Sequence, residues 1–150
     1  MMPVSESVLL PVLPLRCDVH NYALPLESVV EVAAMVALVP VPGASDALLG
    51  LANRGGEALP ILSLRALVGL APRSLDAQTM FVVVQAGDAQ FGLVADEVEP
   101  VRYYPQNAWK RMERAGHWVS HTISEQGKLT QVLHAVSLMS AAVRVHDGKW

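Results

Sequence analysis

The chain is poor in cysteine, aromatic residues and charge. Its one cysteine, Cys17, excludes an internal disulfide and is typical of proteins from a reducing compartment. Aromatic residues make up 5% of the chain and the formal net charge is -3, so the stacking side chains and basic face of a nucleic-acid binder are missing. No nucleophile elbow, phosphate loop or dinucleotide fingerprint is present. The sequence therefore predicts no nucleic-acid partner and no cofactor.

Membrane-spanning runs and targeting signals are missing as well. The N-terminal stretch MMPVSESVLLPVLPL is interrupted by prolines and has no basic region before its apolar residues, unlike a signal peptide. No apolar run reaches the ~20 residues that a membrane-spanning helix needs. We therefore expect a cytoplasmic protein without direct membrane insertion, and a disordered tip at residues 1–7.

Aliphatic residues are what the chain has in abundance. Hydrophobic residues make up 52% of its 150 residues and charged residues only 17%, which is lean in charge for a soluble monomer. Part of this apolar surplus is expected to face a partner. The length is that of a single domain, which we place at residues 1–150.

Short runs of period two predict an all-β fold with short helices. The odd positions between Leu9 and Val19 alternate as in a strand. Because Pro11 and Pro14 cannot donate to a strand ladder, this strand is expected at an edge or with a bulge. Residues 104–116 show no strong periodicity and are expected to form a long connecting loop.

A hairpin is the strongest local signal. Two apolar runs, 48–52 and 58–64, are joined through Asn53-Arg54-Gly55-Gly56, and a Gly-Gly pair between two such runs favours a tight β-turn. Residues 64–70 then suit a short helix that ends at Gly69.

The chain also repeats itself weakly. Tyr22–Val32 can be superimposed on Phe91–Val101, and Ile61–Leu64 on Val132–Ala135, in both cases at a distance of roughly seventy residues. Two similar lobes are expected, each an antiparallel sheet curled into a small barrel. We place them at about 8–70 and 79–143 and leave open an exchange of the chain ends between them.

Groups that could carry catalysis are few. Cys17 and His20 could form a thiol-imidazole pair, but the apolar register of Cys17 favours a buried structural thiol. His117 and His121 have the i, i+4 spacing of helical metal ligands, yet they flank a stretch that favours a strand and lack an obvious third ligand. The sequence therefore predicts no catalytic residue, no metal site and no enzyme.

Several stretches of the chain carry a family resemblance: Tyr22–Val32, Val41–Ala44, Leu49–Asn53, Leu59–Arg65 and Phe91–Val98. Together they resemble the CheW-like family, coupling proteins that join chemoreceptors to a histidine kinase in bacteria. The resemblance runs from about Leu15 to Met139 and is most specific up to residue 100. It implies two SH3-like β-barrel subdomains packed together.

The resemblance also implies partners and site residues. The helical tip of a chemoreceptor's cytoplasmic region is expected to dock between the barrels, and the regulatory domain of a CheA-type histidine kinase at the barrel ends. The positions that match the receptor groove are Val30, Glu31, Val32, Leu51 and Asn53. Arg54 is a possible kinase contact. It stands one position earlier than the arginine of the family's Asn-Leu-Arg-Gly, and such a shift turns a strand side chain to the opposite face.

Two functions follow as hypotheses. The first is a non-catalytic adaptor that couples chemoreceptors to a CheA-type kinase in chemotaxis or in pilus-type motility signalling. The second is a regulatory or small-ligand-sensing lobe that kept the fold and lost those contacts. Ser63 and His134 replace acids that are usual in the family, which indicates a divergent member.

Overall fold

The fold is built mainly from β-strands, as the sequence predicts. The computed structural model describes residues 8–113 and 117–145, so the predicted tip at residues 1–7 lies outside the described residues. The strands are β1 (Leu9–Cys17), β2 (His20–Pro25), β3 (Val29–Ala34), β4 (Leu48–Arg54), β5 (Glu57–Ser63), β6 (Met80–Ala86), β7 (Ala89–Val94), β8 (Glu97–Val98), β9 (Arg102–Pro105), β10 (Trp109–Arg111), β11 (Val119–Glu125) and β12 (Lys128–Leu133). The helices are α1 (Leu64–Leu67) and α2 (Ala135–Val145), with single 3-10 turns at Leu26–Ser28 and Gln106–Ala108.

The strands form two sheets. The five-stranded sheet has the order β3-β6-β7-β5-β4, and the seven-stranded sheet has the order β10-β11-β12-β2-β1-β8, with β9 also paired to β1. Each sheet is antiparallel except for one parallel pair, β5 with β7 and β12 with β2. The seven-stranded sheet unites both ends of the chain, whereas the five-stranded sheet comes from residues 29–94. The sheets therefore do not consist of consecutive halves of the chain, because hairpin β1–β2 pairs with strands of the second half.

The internal repeat reappears as equivalent strand pairing. In the five-stranded sheet Ile61 lies opposite Gly92 in the parallel pair, and in the seven-stranded sheet Val132 lies opposite Ala23. The sequence repeat superimposes these same positions. The order β9-β1-β2-β12-β11 thus corresponds to β3-β6-β7-β5-β4, and the two lobes share one SH3-like plan.

An apolar core lies between the two sheets. Alternation along β6 divides its side chains: Val82 and Val84 enter this inter-sheet core, while Phe81 and Val83 enter the interior of the five-stranded barrel. Leu13 and Leu15 of β1 contribute from the other sheet. Helix α2 adds Leu138, which is fully buried in the same core. The lobes are therefore held together by continuous apolar packing.

Gly92 shows how tightly the five-stranded barrel is filled. A Cβ atom at this position would lie 2.5 Å from Cδ1 of Ile61 and 2.9 Å from Cδ2 of Phe81. Protein interiors are packed to crystal-like density, so one added carbon forces its neighbours to move. A glycine is needed here because two large side chains cross its backbone.

The first strand is expected at an edge or with a bulge, and only the edge is wrong. β1 pairs with β2 on one side and with β8 and β9 on the other, and the register on this second side shifts by one residue between Val12 and Leu15, next to Pro14. The carbonyl of Pro14 accepts a hydrogen bond from the N–H of Glu99. Pro14 thus lies where the pairing with β9 has ended and the pairing with β8 has not begun, so the N–H that proline lacks is not needed there. Pro11 lies before the β2 ladder, which begins at Val12. Both prolines are tolerated because neither is needed as a donor.

The expectation of a long loop over residues 104–116 is also wrong for the described part of that stretch. β9 pairs with β1 and β10 pairs with β11, and Tyr104 is buried. Strands of three or four residues are too short to show periodicity, and their partners are far away in the sequence. Residues 114–116 lie outside the described residues.

Candidate functional site

The residues predicted for the receptor groove lie on the two edge strands of the five-stranded sheet. Val30, Glu31 and Val32 are on β3, and Leu51 and Asn53 are on β4. Val32 lies opposite Val82, a member of the inter-sheet core. Directly paired residues share a face, so Val32 continues the face that packs between the lobes. The side chains of Val30 and Val32 are nonetheless 46% and 38% exposed.

On β4, the predicted site residues Asn53 and Leu51 form hydrogen bonds within the chain. Asn53 accepts a hydrogen bond at its Oδ1 from the N–H of Gly56 (2.9 Å), so its side chain stabilises the hairpin turn. Gly55 and Gly56 both have positive φ, as a two-residue turn of this type requires. Leu51 exchanges two backbone hydrogen bonds with Val39, each 2.8 Å long, and its side chain is half-buried.

Arg54 forms an ion pair with Glu31. This pair connects β4 with β3, the two edge strands of the same sheet. The shifted arginine thus has a partner within the chain, and the partner is itself one of the predicted rim residues. The structure therefore brings Arg54 and Glu31 together, and it divides the three apolar residues of the prediction between the edge strands, Val30 and Val32 on β3 and Leu51 on β4.

A second charged cluster was missed by sequence reasoning. Nη1 of Arg65 lies 2.8 Å from Oδ1 of Asp18 and 2.9 Å from Oδ2 of Asp96. The N–H of Asp18 also donates to Oδ2 of Asp96 (2.8 Å), and Nε of Arg65 donates to the carbonyl of Ala71 (2.6 Å). Arg73 approaches both carboxylates at 3.5 Å. We call Asp18, Arg65, Arg73 and Asp96 the junction cluster, since it joins the β1–β2 turn to α1 and the end of β7.

The short contacts in the junction cluster shift the pKa values of Asp18 and Arg65. The hydrogen bond from Arg65 lowers the pKa of Asp18, and the Asp18 carboxylate raises the pKa of Arg65. Next to Asp18, Cys17 is a free and fully buried thiol. Burial raises the pKa of Cys17, so the thiol stays protonated at neutral pH. The prediction that Cys17 is buried is confirmed.

His117 and His121, the two histidines with the spacing of metal ligands, contact tryptophan rings. The His117 ring stacks on Trp118 with centroids 5.3 Å apart, and its Nδ1 accepts from the N–H of Val119. His121 lies on β11 beside Trp109, and burial lowers its pKa. Among residues 8–113 and 117–145, no group of three potential metal ligands occurs. No helix in this part of the chain is long and apolar enough to cross a membrane.

A cleft of about 880 Å3 opens beside the junction cluster. One wall is formed by residues 40–49, and the other by α1 and the segment 69–79 that connects it to β6. Arg65, Arg73 and Asp96 are among its lining residues. The six predicted site residues do not line this cleft, so it is a separate surface.

Two barrels of one plan, packed through a shared core and joined by a partly buried ion cluster, define a double SH3-like module. The CheW-like domain family matches residues 11–143, and the chain belongs to this family. The chain is 29% identical over 79 residues to the chemotaxis protein CheW of Helicobacter pylori, an alignment that covers 53% of this chain and 48% of that protein. It thus spans about half the length of this curated relative.

A solved structure supports the same fold. The crystal structure of the scaffolding protein TtCheW from Thermoanaerobacter tengcongensis matches with a TM-score of 0.76 and 18% sequence identity. The match covers 84% of this chain and 89% of that one. At this identity the likeness defines the fold, and it confirms the predicted all-β, CheW-like architecture.

Proposed function

We propose that this chain is a non-catalytic adaptor that couples chemoreceptors to a CheA-type histidine kinase in chemotaxis or pilus-type motility signalling. Membership of the CheW-like family supports an adaptor role in chemotaxis. The observation that carries the proposal is the exposure of Val32 on the face that continues the inter-sheet core, with the exposed Val30 beside it where the pairing of β3 with β6 shifts register. Exposed apolar side chains beside a core are a usual mark of a protein-binding surface.

The receptor is proposed to bind through its helical cytoplasmic tip. A helix that docks in a groove needs aliphatic anchors and a few polar residues at the rim. Val30, Val32 and Leu51 are the proposed anchors, and Glu31 and Asn53 the proposed rim. Arg54 is proposed to face the regulatory domain of the kinase, with Glu31 as its partner before the complex forms.

The substitution Leu51→Asp tests the receptor surface. A carboxylate there would be desolvated by the receptor helix without a compensating partner, so binding should weaken by at least ~2 kcal/mol. Calorimetry with a receptor hairpin measures the loss, and circular dichroism checks that the variant is folded. Leu129→Asp is the matched control, because Leu129 is 56% exposed on β12 of the other sheet.

The outcomes separate the two functional hypotheses. If folded Leu51→Asp protein binds the receptor hairpin as the wild type does, the groove assignment is wrong. If the wild type binds neither the hairpin nor the kinase regulatory domain, the coupling function is wrong. The alternative, a regulatory or small-ligand-sensing lobe, would then be favoured.

A further inference from the structure

The cleft beside the junction cluster extends along the edge of the five-stranded sheet. A second hollow of about 510 Å3 is lined by residues 35–38 and by the same Leu49, Leu75 and Asp76 that line the cleft. The two hollows therefore adjoin, and together they form a groove between the segments 35–49 and 69–79. We call it the loop groove.

Aliphatic side chains line the loop groove at both ends, among polar ones. Its aliphatic lining includes Val36 and Leu38 at one end and Val41, Leu48, Leu70 and Met80 towards the other. Val36, Leu75 and Met80 are 48%, 37% and 41% exposed. Such exposure over neighbouring segments exceeds the scattered single side chains of an ordinary surface.

The charges of the loop groove are unbalanced. Its two guanidiniums, Arg65 and Arg73, already lie against the carboxylates of Asp18 and Asp96. Two further carboxylates remain, Asp46 on one wall and Asp76 on the other, and both residues are exposed. Neither forms a salt bridge with any of the residues that the structure describes. Each wall thus presents one carboxylate without a cationic partner among the described residues, beside aliphatic side chains.

From this arrangement we infer that the loop groove binds a basic amphipathic helix of a partner protein, with its aliphatic side chains in the two hollows and its Lys or Arg side chains against Asp46 and Asp76. An apolar stripe flanked by cations is the complement of an apolar trough flanked by carboxylates. Arg65 adds a fixed floor, because it is buried and holds the 69–79 segment through the carbonyl of Ala71. This surface does not include Val30, Val32, Leu51 or Arg54, so it stands or fails independently of the proposed function.

The probe for this site is a synthetic amphipathic helix made of leucine and lysine, with a leucine–glutamate helix of the same pattern as its counterpart. Fluorescence anisotropy measures binding of each labelled peptide to the full chain, and amide chemical shifts locate it. We expect the lysine peptide to bind, more weakly as salt is raised, with shifts concentrated in residues 35–49 and 69–80. The glutamate peptide should not bind.

Replacing the two wall carboxylates tests the charge argument. The double variant Asp46→Asn, Asp76→Asn should bind the lysine peptide roughly 5-fold more weakly, since each exposed ion pair contributes modestly. Asparagine at 76 retains an oxygen that can accept from the N–H of Gln78, so the local turn is kept. The matched control is Glu57→Gln, Asp88→Asn, which removes two exposed carboxylates of the same sheet from outside the groove.

Three results would overturn the inference. One is an equal loss of affinity in the control variant, which would indicate general attraction to an acidic protein. Another is peptide-induced shifts located outside the loop groove. The third is a concentration-dependent dimer whose interface shifts fall on the groove, since its occupant would then be a second copy of this chain.

Discussion

Two sets of ion pairs each connect segments that are distant in the chain, and they differ in burial. In the junction cluster, the side chains of Arg65 and Asp96 are 11% and 8% exposed. In the edge pair, the side chains of Arg54 and Glu31 are 34% and 45% exposed. The first joins one sheet to the other, and the second joins the two edges of one sheet.

This difference in burial assigns the two sets different roles. A buried charge that loses its partner cannot regain full hydration, so breaking the Arg65–Asp96 pair should be costly. Exposed charges can be rehydrated or can accept another partner at little cost. The edge pair is therefore the one that a bound protein could rearrange, and it lies beside Val30 and Val32.

The largest effect is expected from Asp96→Ala. This change removes an acceptor of Arg65 and leaves the N–H of Asp18 without its partner, so the free energy of unfolding should fall by about 2–4 kcal/mol. Glu97→Ala is the control at the next position: Glu97 pairs with Arg16 at the surface, and its loss should cost ~0–1 kcal/mol. Urea denaturation measures both. Equal losses in the two variants would show that burial does not make the junction cluster more important for stability than a surface ion pair.

The pH dependence of stability offers a second view of the junction cluster. Because the pKa of Asp18 is lowered by its hydrogen bond from Arg65, its contribution is present above the ordinary carboxyl pKa and is lost as the pH falls below it. Asp18→Asn should remove this part of the acid dependence. A variant that loses stability in acid as steeply as the wild type would contradict the assignment.

An intermediate effect is expected from Cys17→Ser. The thiol is fully buried in the inter-sheet core, and a hydroxyl there loses its hydration, so stability should fall by roughly 1–3 kcal/mol. Partner binding should remain, since Cys17 lies away from both edge strands. Rapid reaction of the native thiol with a maleimide at neutral pH would show that the site is open.

Local signals in the sequence determined how much could be predicted. The β4–β5 hairpin follows from Gly55-Gly56 and its flanking runs, and the end of helix α1 from Gly69, which has a positive φ just after the helix. The weak internal repeat predicted two equivalent lobes because both of its copies are visible in the sequence. The junction cluster was not predictable in this way, because Asp18 and Arg65 are 47 residues apart and no sequence pattern around either residue indicates the other as its partner. β9 and β10 were missed because such short strands depend on distant partners.

The smallest effect is expected from the edge pair. A double-mutant cycle of Glu31→Ala and Arg54→Ala should give a coupling energy of ~0–1 kcal/mol, because more than a third of each side chain is exposed to solvent. This coupling energy should fall as the salt concentration is raised. Arg54→Ala should also weaken kinase binding by less than Leu51→Asp weakens receptor-hairpin binding, since an exposed arginine contributes less than a desolvated anchor. Chemical denaturation measures the stabilities for the cycle, and calorimetry measures binding.

A coupling energy comparable to the loss of stability in Asp96→Ala would mean that the edge pair stabilises the barrel as strongly as the junction cluster stabilises the contact between the lobes. The edges would then be part of the rigid fold, and a partner could not compete for Arg54 or Glu31.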